Sequence, residues 1–128
     1  MLFSDITDCE MVVFRCIQEA GKEISLVEIM QQLEEQYGKD WKRSTVCTFI
    51  SHLISKGYVT GRREGRVFYY SSAVNDKKFK EEQVSQFLDF WFHGSISEFA
   101  ETAFQTKKVS KKEAAEVLAS IDRLENKA

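Results

Sequence analysis

The chain has 128 residues and no proline, is 43% apolar and 30% charged, and carries a formal net charge of -2. That size and balance suit one compact domain, or a small domain with an appendage, and exclude wholesale disorder. Its apolar runs, as at Phe90-Trp91-Phe92, are too short to span a bilayer, no secretion signal opens it, and three cysteines without a CxxC fit a reducing compartment, so a cytoplasmic protein is expected.

Helix punctuation is easy to read. Thr7-Asp8-Cys9-Glu10 has the form of a capping box, in which a hydroxyl and a carboxylate satisfy free amides at a helix start. Cys9, Val12, Val13, Cys16, Ile17 and Ala20 then recur at helical spacing up to Gly21, which predicts helix 1 over about 8–20, with Cys9 and Cys16 on its buried stripe. Ser25-Leu26-Val27-Glu28 is a second box, with Ile24 and Ile29 placed as a hydrophobic staple, and helix 2 continues through Met30, Leu33 and Tyr37 to Gly38. After a turn containing Trp41, helix 3 is predicted from about Ser44 to Lys56, with Val46, Phe49, Ile50 and Leu53 as its apolar face.

The opposite face of helix 3 holds Ser44, Thr48, Ser51, His52 and Ser55, with Thr45 beside them. Serine and threonine are mediocre helix formers, and a face chosen for solubility would carry Glu and Lys instead, so another demand selects the hydroxyls. Next, Tyr58-Val59-Thr60-Gly61-Arg62-Arg63 and Arg66-Val67-Phe68-Tyr69-Tyr70-Ser71 flank Glu64-Gly65, the pattern of a β-hairpin with Gly65 in the turn. Three more helices follow. Val74-Asn75 opens one that carries Phe79, Val84, Phe87, Leu88 and Trp91 to Gly94; Ser95 opens a second with Phe99, Ala103 and Phe104; Ser110 opens a third with Val117, Leu118, Ile121 and Leu124. The expected architecture is mainly α with a small antiparallel β-hairpin: a winged helix-turn-helix domain over 1–74, followed by a helical dimerisation domain over 75–128.

Charge is unevenly spread. Residues 1–38 carry eight acids and two bases, whereas residues 39–70 carry seven bases (Lys39, Lys42, Arg43, Lys56, Arg62, Arg63, Arg66) and two acids. A basic centre between acidic flanks is the footprint expected of a polyanion partner. Residues 79–104 contain seven aromatics. A helical appendage of about 50 residues has too little interior to bury them, and each large ring forfeits several kcal/mol if left in water, at about 25 cal/mol per Å² over roughly 150–250 Å². Self-association through Phe79, Val84, Phe87, Leu88, Trp91, Phe99, Phe104, Val117, Leu118 and Ile121 is the expected solution; the alternative is that the rings pack back on the N-terminal domain.

No catalytic constellation emerges. His52 and His93 lie far apart, without a Cys or carboxylate at metal-ligand spacing, and there is no GxSxG, HExxH or Gly-rich phosphate loop. No enzyme activity, metal or cofactor is expected, although a redox role for Cys47 is a third possibility after the two binding readings. In the first, helix 3 enters the major groove of double-stranded DNA. There Ser44, Thr45, Thr48, Ser51, His52 and Ser55 face the duplex, while Lys42, Arg43, Lys56, Arg62, Arg63 and Arg66 hold phosphates. The alternative is a winged helix that docks its basic wing on an acidic protein.

Four segments together resemble the penicillinase-repressor family, which includes methicillin-resistance and copper-transport repressors. They are Ile6-Thr7-Asp8-Cys9-Glu10-Met11-Val12-Val13, Trp41-Lys42-Arg43-Ser44-Thr45-Val46-Cys47-Thr48, Leu53-Ile54-Ser55-Lys56-Gly57-Tyr58-Val59 and Arg66-Val67-Phe68-Tyr69-Tyr70. The resemblance implies a dimeric winged-helix repressor that occupies an inverted-repeat operator and is released by a signal. In the β-lactam branch the release is proteolysis triggered by a membrane sensor, so a sensor protease is an implied partner. The chain departs from the family at four places. His52 stands where the family usually has Arg, and Gln18 where it usually has Trp. Ala103-Phe104 takes the place of the Asn-Phe bond that is cut, and no cysteine follows Cys47 to form the copper branch's motif.

Overall fold

The structure is a computed structural model that describes residues 4–126. Nine elements follow in order: α1 (Asp8–Ala20), β1 (Ile24–Ser25), α2 (Leu26–Tyr37), α3 (Arg43–Ser55), β2 (Val59–Glu64), β3 (Val67–Ser72), α4 (Asp76–Phe92), α5 (Ile96–Thr106) and α6 (Lys111–Glu125). The hydroxyl caps read from the sequence form, and the Thr7–Glu10 box is complete. At Ser25 the expected second box is not made, because Glu28 Oε1 accepts from the Ser25 hydroxyl at 3.0 Å and not from its amide. Thr7 Oγ1 accepts from the Glu10 amide while the Thr7 amide donates to Glu10 Oε1, and Ser25, Ser95 and Ser110 each accept from the amide three residues on. Each such cap satisfies amides that the first turn leaves without partners. Among the described residues, no helix is long and apolar enough to cross a membrane.

The chain divides into two compact units, residues 1–84 and 85–128, with the boundary inside α4. The first unit is a winged helix-turn-helix. α1, α2 and α3 close around Val13, Phe14, Ile17, Ile29, Leu33, Val46, Ile50 and Leu53, all essentially sealed from solvent. A three-stranded antiparallel sheet in the order β1-β3-β2 lies beside them. Its β1 is a two-residue strand that the sequence reading did not anticipate; Ile24 pairs with Tyr70 and Ser25 with Tyr69. The hairpin register runs from Val59 opposite Ser72 to Glu64 opposite Val67. The turn is therefore Gly65-Arg66, one residue later than the expected Glu64-Gly65. Gly65 occupies its first position at φ +62°, a left-handed conformation that a Cβ disfavours.

Two further sequence expectations are corrected here. Cys9 is exposed, and only Cys16 is buried. The inner stripe of α1 runs Glu10, Val13, Phe14, Ile17, so its first position is filled by a carboxylate one residue beyond Cys9. Burial, reinforced by the nearby Glu19 charge, pushes the Cys16 thiol up to about 11, which keeps it protonated and inert. Phe79 was expected to belong to the self-association surface. Instead its ring meets Phe14 edge-on at 5.4 Å and lies 5.8 Å from Tyr58, so it completes the core of the first unit. Nearby, Gln18 Nε2 donates to Asp76 Oδ1 at 3.0 Å, and Ser72 Oγ donates to the same oxygen at 2.6 Å.

In the second unit Phe87, Phe92 and Phe99 form an aromatic cluster with ring centres 5.6–6.3 Å apart. Even so, no residue of α4, α5 or α6 is buried. Trp91, Phe104, Leu118 and Leu124 are each more than half exposed.

Candidate nucleic-acid interface

α3 presents two faces because its sequence has two. Val46, Ile50 and Leu53 point into the core, which turns Ser44, Thr48, Ser51, His52 and Ser55 to solvent and leaves Thr45 half-buried. The Thr48 hydroxyl donates to the Ser44 carbonyl at 2.9 Å. Its proton is thus committed within the helix, so toward an outside partner this hydroxyl is left to accept. The N-cap is Lys42, whose side chain cannot accept a hydrogen bond, and no side chain caps this end. The first-turn amides of α3 therefore stay open beside Lys42 and Arg43, an arrangement that favours an anion.

The structure separates the basic residues that sequence reading had grouped. Lys42, Arg43 and Arg66 have no side-chain hydrogen bond or ion pair with any of the described residues, and Arg63 donates only to the Gly65 carbonyl while lying over Phe68. Arg62 is different. Its guanidinium donates to Glu23 Oε2 at 2.5 Å and to Glu64 Oε2 at 2.8 Å, and stacks over Tyr69. The Glu23 and Glu64 carboxylates push its pKa further up. Two acids thus offset much of its charge toward an outside anion.

Lys56 is also occupied. Its ammonium donates to Glu10 Oε1 at 2.7 Å and to the Asp5 carbonyl at 2.5 Å. The second Glu10 oxygen lies 3.0 Å from His52 Nδ1. Glu10 is 2% exposed. Burial alone would raise its carboxyl, but Lys56, the Thr7 amide and His52 outweigh that and hold it below the ordinary carboxylate value. Next to this network the Tyr58 hydroxyl donates to Asp5 Oδ1, which together with partial burial pushes the phenol up to about 12. Sequence reading assigned Glu10 only a capping role. The missed signal is its spacing of three, four and seven residues from Val13, Phe14 and Ile17, which places a carboxylate on an apolar stripe.

Between α3 and the hairpin lies a groove of about 440 Å³, lined by Cys47, Ile50, Ser51 and Ile54 on one side and Gly61, Arg62, Arg63, Phe68 and Tyr70 on the other. A Cβ at Gly61 would stand 3.0 Å from two Tyr70 ring carbons and 3.6 Å from Ile54. Gly61→Val should therefore displace the Tyr70 ring that faces it across the hairpin and crowd Ile54 of α3, lowering stability by about 1–3 kcal/mol, read as a urea midpoint shift. Gly61→Ala should do so less. Among the described residues no group of three or more His, Cys, Asp or Glu could hold a metal ion.

Three helices, a basic hairpin and an exposed polar third helix define a winged helix-turn-helix regulator. The penicillinase repressor family model matches residues 6–123, and the chain belongs to that family, whose members are transcription regulators and not enzymes. Among curated relatives, the penicillinase repressor of Bacillus licheniformis is 24% identical over 122 residues, covering 95% of this chain and 93% of its own. The methicillin resistance regulatory protein MecI of Staphylococcus aureus is 24% identical over 96 residues, covering 75% of this chain and 76% of its own. Two solved structures share the fold at 14% identity and TM-score 0.53. One is H. salinarum RosR, aligned over 97% of both chains; the other is Bordetella bronchiseptica BpsR, aligned over 97% of this chain and 84% of its own.

Proposed function

We propose that the chain is a cytoplasmic repressor that needs no cofactor and occupies an inverted-repeat operator in double-stranded DNA as a homodimer. The observation that carries this reading is one surface. The hydroxyl face of α3 is flanked by Lys42 and Arg43 at its start and by Arg63 and Arg66 on the wing, and none of these cations has a carboxylate partner among the described residues. In this reading α3 lies in the major groove. Ser44, Thr45, Thr48, Ser51, His52 and Ser55 reach base edges, while the four cations grip phosphates and set the register. Lys56 and Arg62 contribute less, because Glu10, Glu23 and Glu64 already hold them.

A salt titration tests the phosphate grip. On duplex DNA log K falls with log[salt] by about 0.9 for each phosphate neutralised. Arg63→Ala should weaken binding to every sequence alike and reduce that slope by about one per protomer, whereas Thr48→Ala should hurt the operator more than random DNA. Binding indifferent to both salt and sequence would overturn the reading and leave an acidic protein as the wing's partner.

Support for the homodimer comes from the second unit, which exposes Phe87, Trp91, Phe99, Phe104, Val117, Leu118 and Ile121, with Leu88 half-buried among them; Val84, the last residue of the first unit, is exposed one turn before Leu88 on α4. An inverted-repeat operator would present its two half-sites to the two recognition helices of such a dimer about 34 Å apart, or a multiple of that. Sedimentation at micromolar concentration should give a dimer, and Leu118→Asp should give a monomer with weaker operator binding. A monomeric parent protein would remove the dimer from the proposal. Inactivation by a sensor protease at Ala103-Phe104 requires α5 to open first, since that bond lies inside Ile96–Thr106 and cleavage acts on locally opened chain.

A further inference from the structure

The contact between Glu10 and His52 has a direction. Glu10 Oε1 is taken by Lys56 and by the Thr7 amide, and Oε2 faces His52 Nδ1 at 3.0 Å. An ionised carboxylate has only lone pairs to offer, so the hydrogen in this contact belongs to Nδ1. In a neutral imidazole the other nitrogen is then bare. The His52 side chain is 55% exposed, one helical turn beyond Thr48, and Nε2 has no hydrogen bond among the described residues.

Resting on the proposed reading of DNA by α3, we infer that Glu10 is a specificity-determining positioning residue. It fixes His52 as the Nδ1–H tautomer, so that Nε2 offers a lone pair and selects a base that donates in the major groove, adenine through N6 or cytosine through N4. Glu10 itself never touches DNA; its carboxylate sets the polarity of the hydrogen bond that the recognition helix makes at this position. Burial of Glu10 keeps water from competing for Nδ1, and Lys56 keeps the carboxylate ionised and oriented.

Glu10→Gln is the discriminating variant. Glutamine suits a capping box as glutamate does, and its carbonyl can still serve Lys56 and Thr7. Its amide then takes the place of Oε2 and donates to His52 Nδ1, which moves the ring proton to Nε2 and reverses the polarity. Nitrogen-15 spectra of the histidine ring at about pH 8.5, above the usual imidazole range of about 6.5, should show Nδ1–H in the parent and Nε2–H in Glu10→Gln. An Nε2–H or doubly protonated ring in the parent, or the same tautomer in both proteins, overturns the inference without reference to DNA. Selection from a library of randomised duplexes, followed by binding to the four base variants at the position under His52, tests the readout. The parent should favour adenine or cytosine by about fivefold or more over the bases that only accept. Glu10→Gln should favour guanine or thymine, and His52→Ala should be indifferent there. Tautomers as expected with an unchanged base preference would remove the specificity role. If no protein selects any duplex, the operator reading fails while the tautomer result stands.

Discussion

Phe14→Ala should lower the unfolding free energy by about 3–5 kcal/mol, the largest stability loss expected from one substitution here. Phe14 is 0% exposed and meets Tyr58 at 5.7 Å and Phe79 at 5.4 Å. It joins α1 to the hairpin base and to the first turns of α4, so its removal leaves a cavity that three elements would have to collapse to fill. A domain of this size has only about 5–15 kcal/mol in hand. Urea unfolding followed by circular dichroism should show a large drop in midpoint for Phe14→Ala and a much smaller one for Phe14→Leu, which keeps most of the volume. Near-equal losses would mean that edge-on ring packing matters more here than cavity volume.

Glu10→Ala should be nearly as costly, at about 2–4 kcal/mol, because it removes one arm of the capping box and leaves Lys56 without its buried partner. The effect should depend on pH in a defined direction. Glu10 titrates below its ordinary value in the folded protein, so the unfolded chain takes up its proton first as the solution is acidified. The stabilisation is complete above the ordinary carboxylate range of about 4.3. It declines as pH falls through that range and is gone below the depressed folded value. The gap in urea midpoint between the parent and Glu10→Ala should therefore be constant near neutrality and shrink from about pH 5 downward. A gap that widens in acid would contradict the ion-pair account.

Features governed by local chemistry could be read directly from the sequence. Thr7, Ser25, Ser95 and Ser110 begin helices because a hydroxyl three residues before a Glu or Gln amide meets a free donor whatever the rest of the chain does. The same holds for the apolar spacing that sets the inner face of α3 and for the aromatic and β-branched residues of the hairpin. Features that depend on distant partners could not. A two-residue strand such as Ile24–Ser25 has no period of its own, and it exists only because Tyr69 and Tyr70 offer it an edge. Phe79 has the same spacing as the exposed rings that follow it on α4, and only the position of Phe14, 65 residues earlier in the chain, draws it inward. Arg62 looked as available as Arg63 until Glu23 came within reach. The His52–Glu10 pair spans 42 residues, and no local pattern could have joined them.

The strand order β1-β3-β2 has one more consequence. It leaves the outer side of Val59–Glu64 without a neighbouring strand among the described residues. A bare ribbon edge of this kind is a template on which another chain's backbone can zip. Here the edge carries Arg62, Arg63 and Glu64, bulky charges that resist stripping of their hydration. The arginines therefore guard the hairpin against stray self-adhesion even with no polyanion present, and exchanging them for valine would turn the wing into a sticky margin.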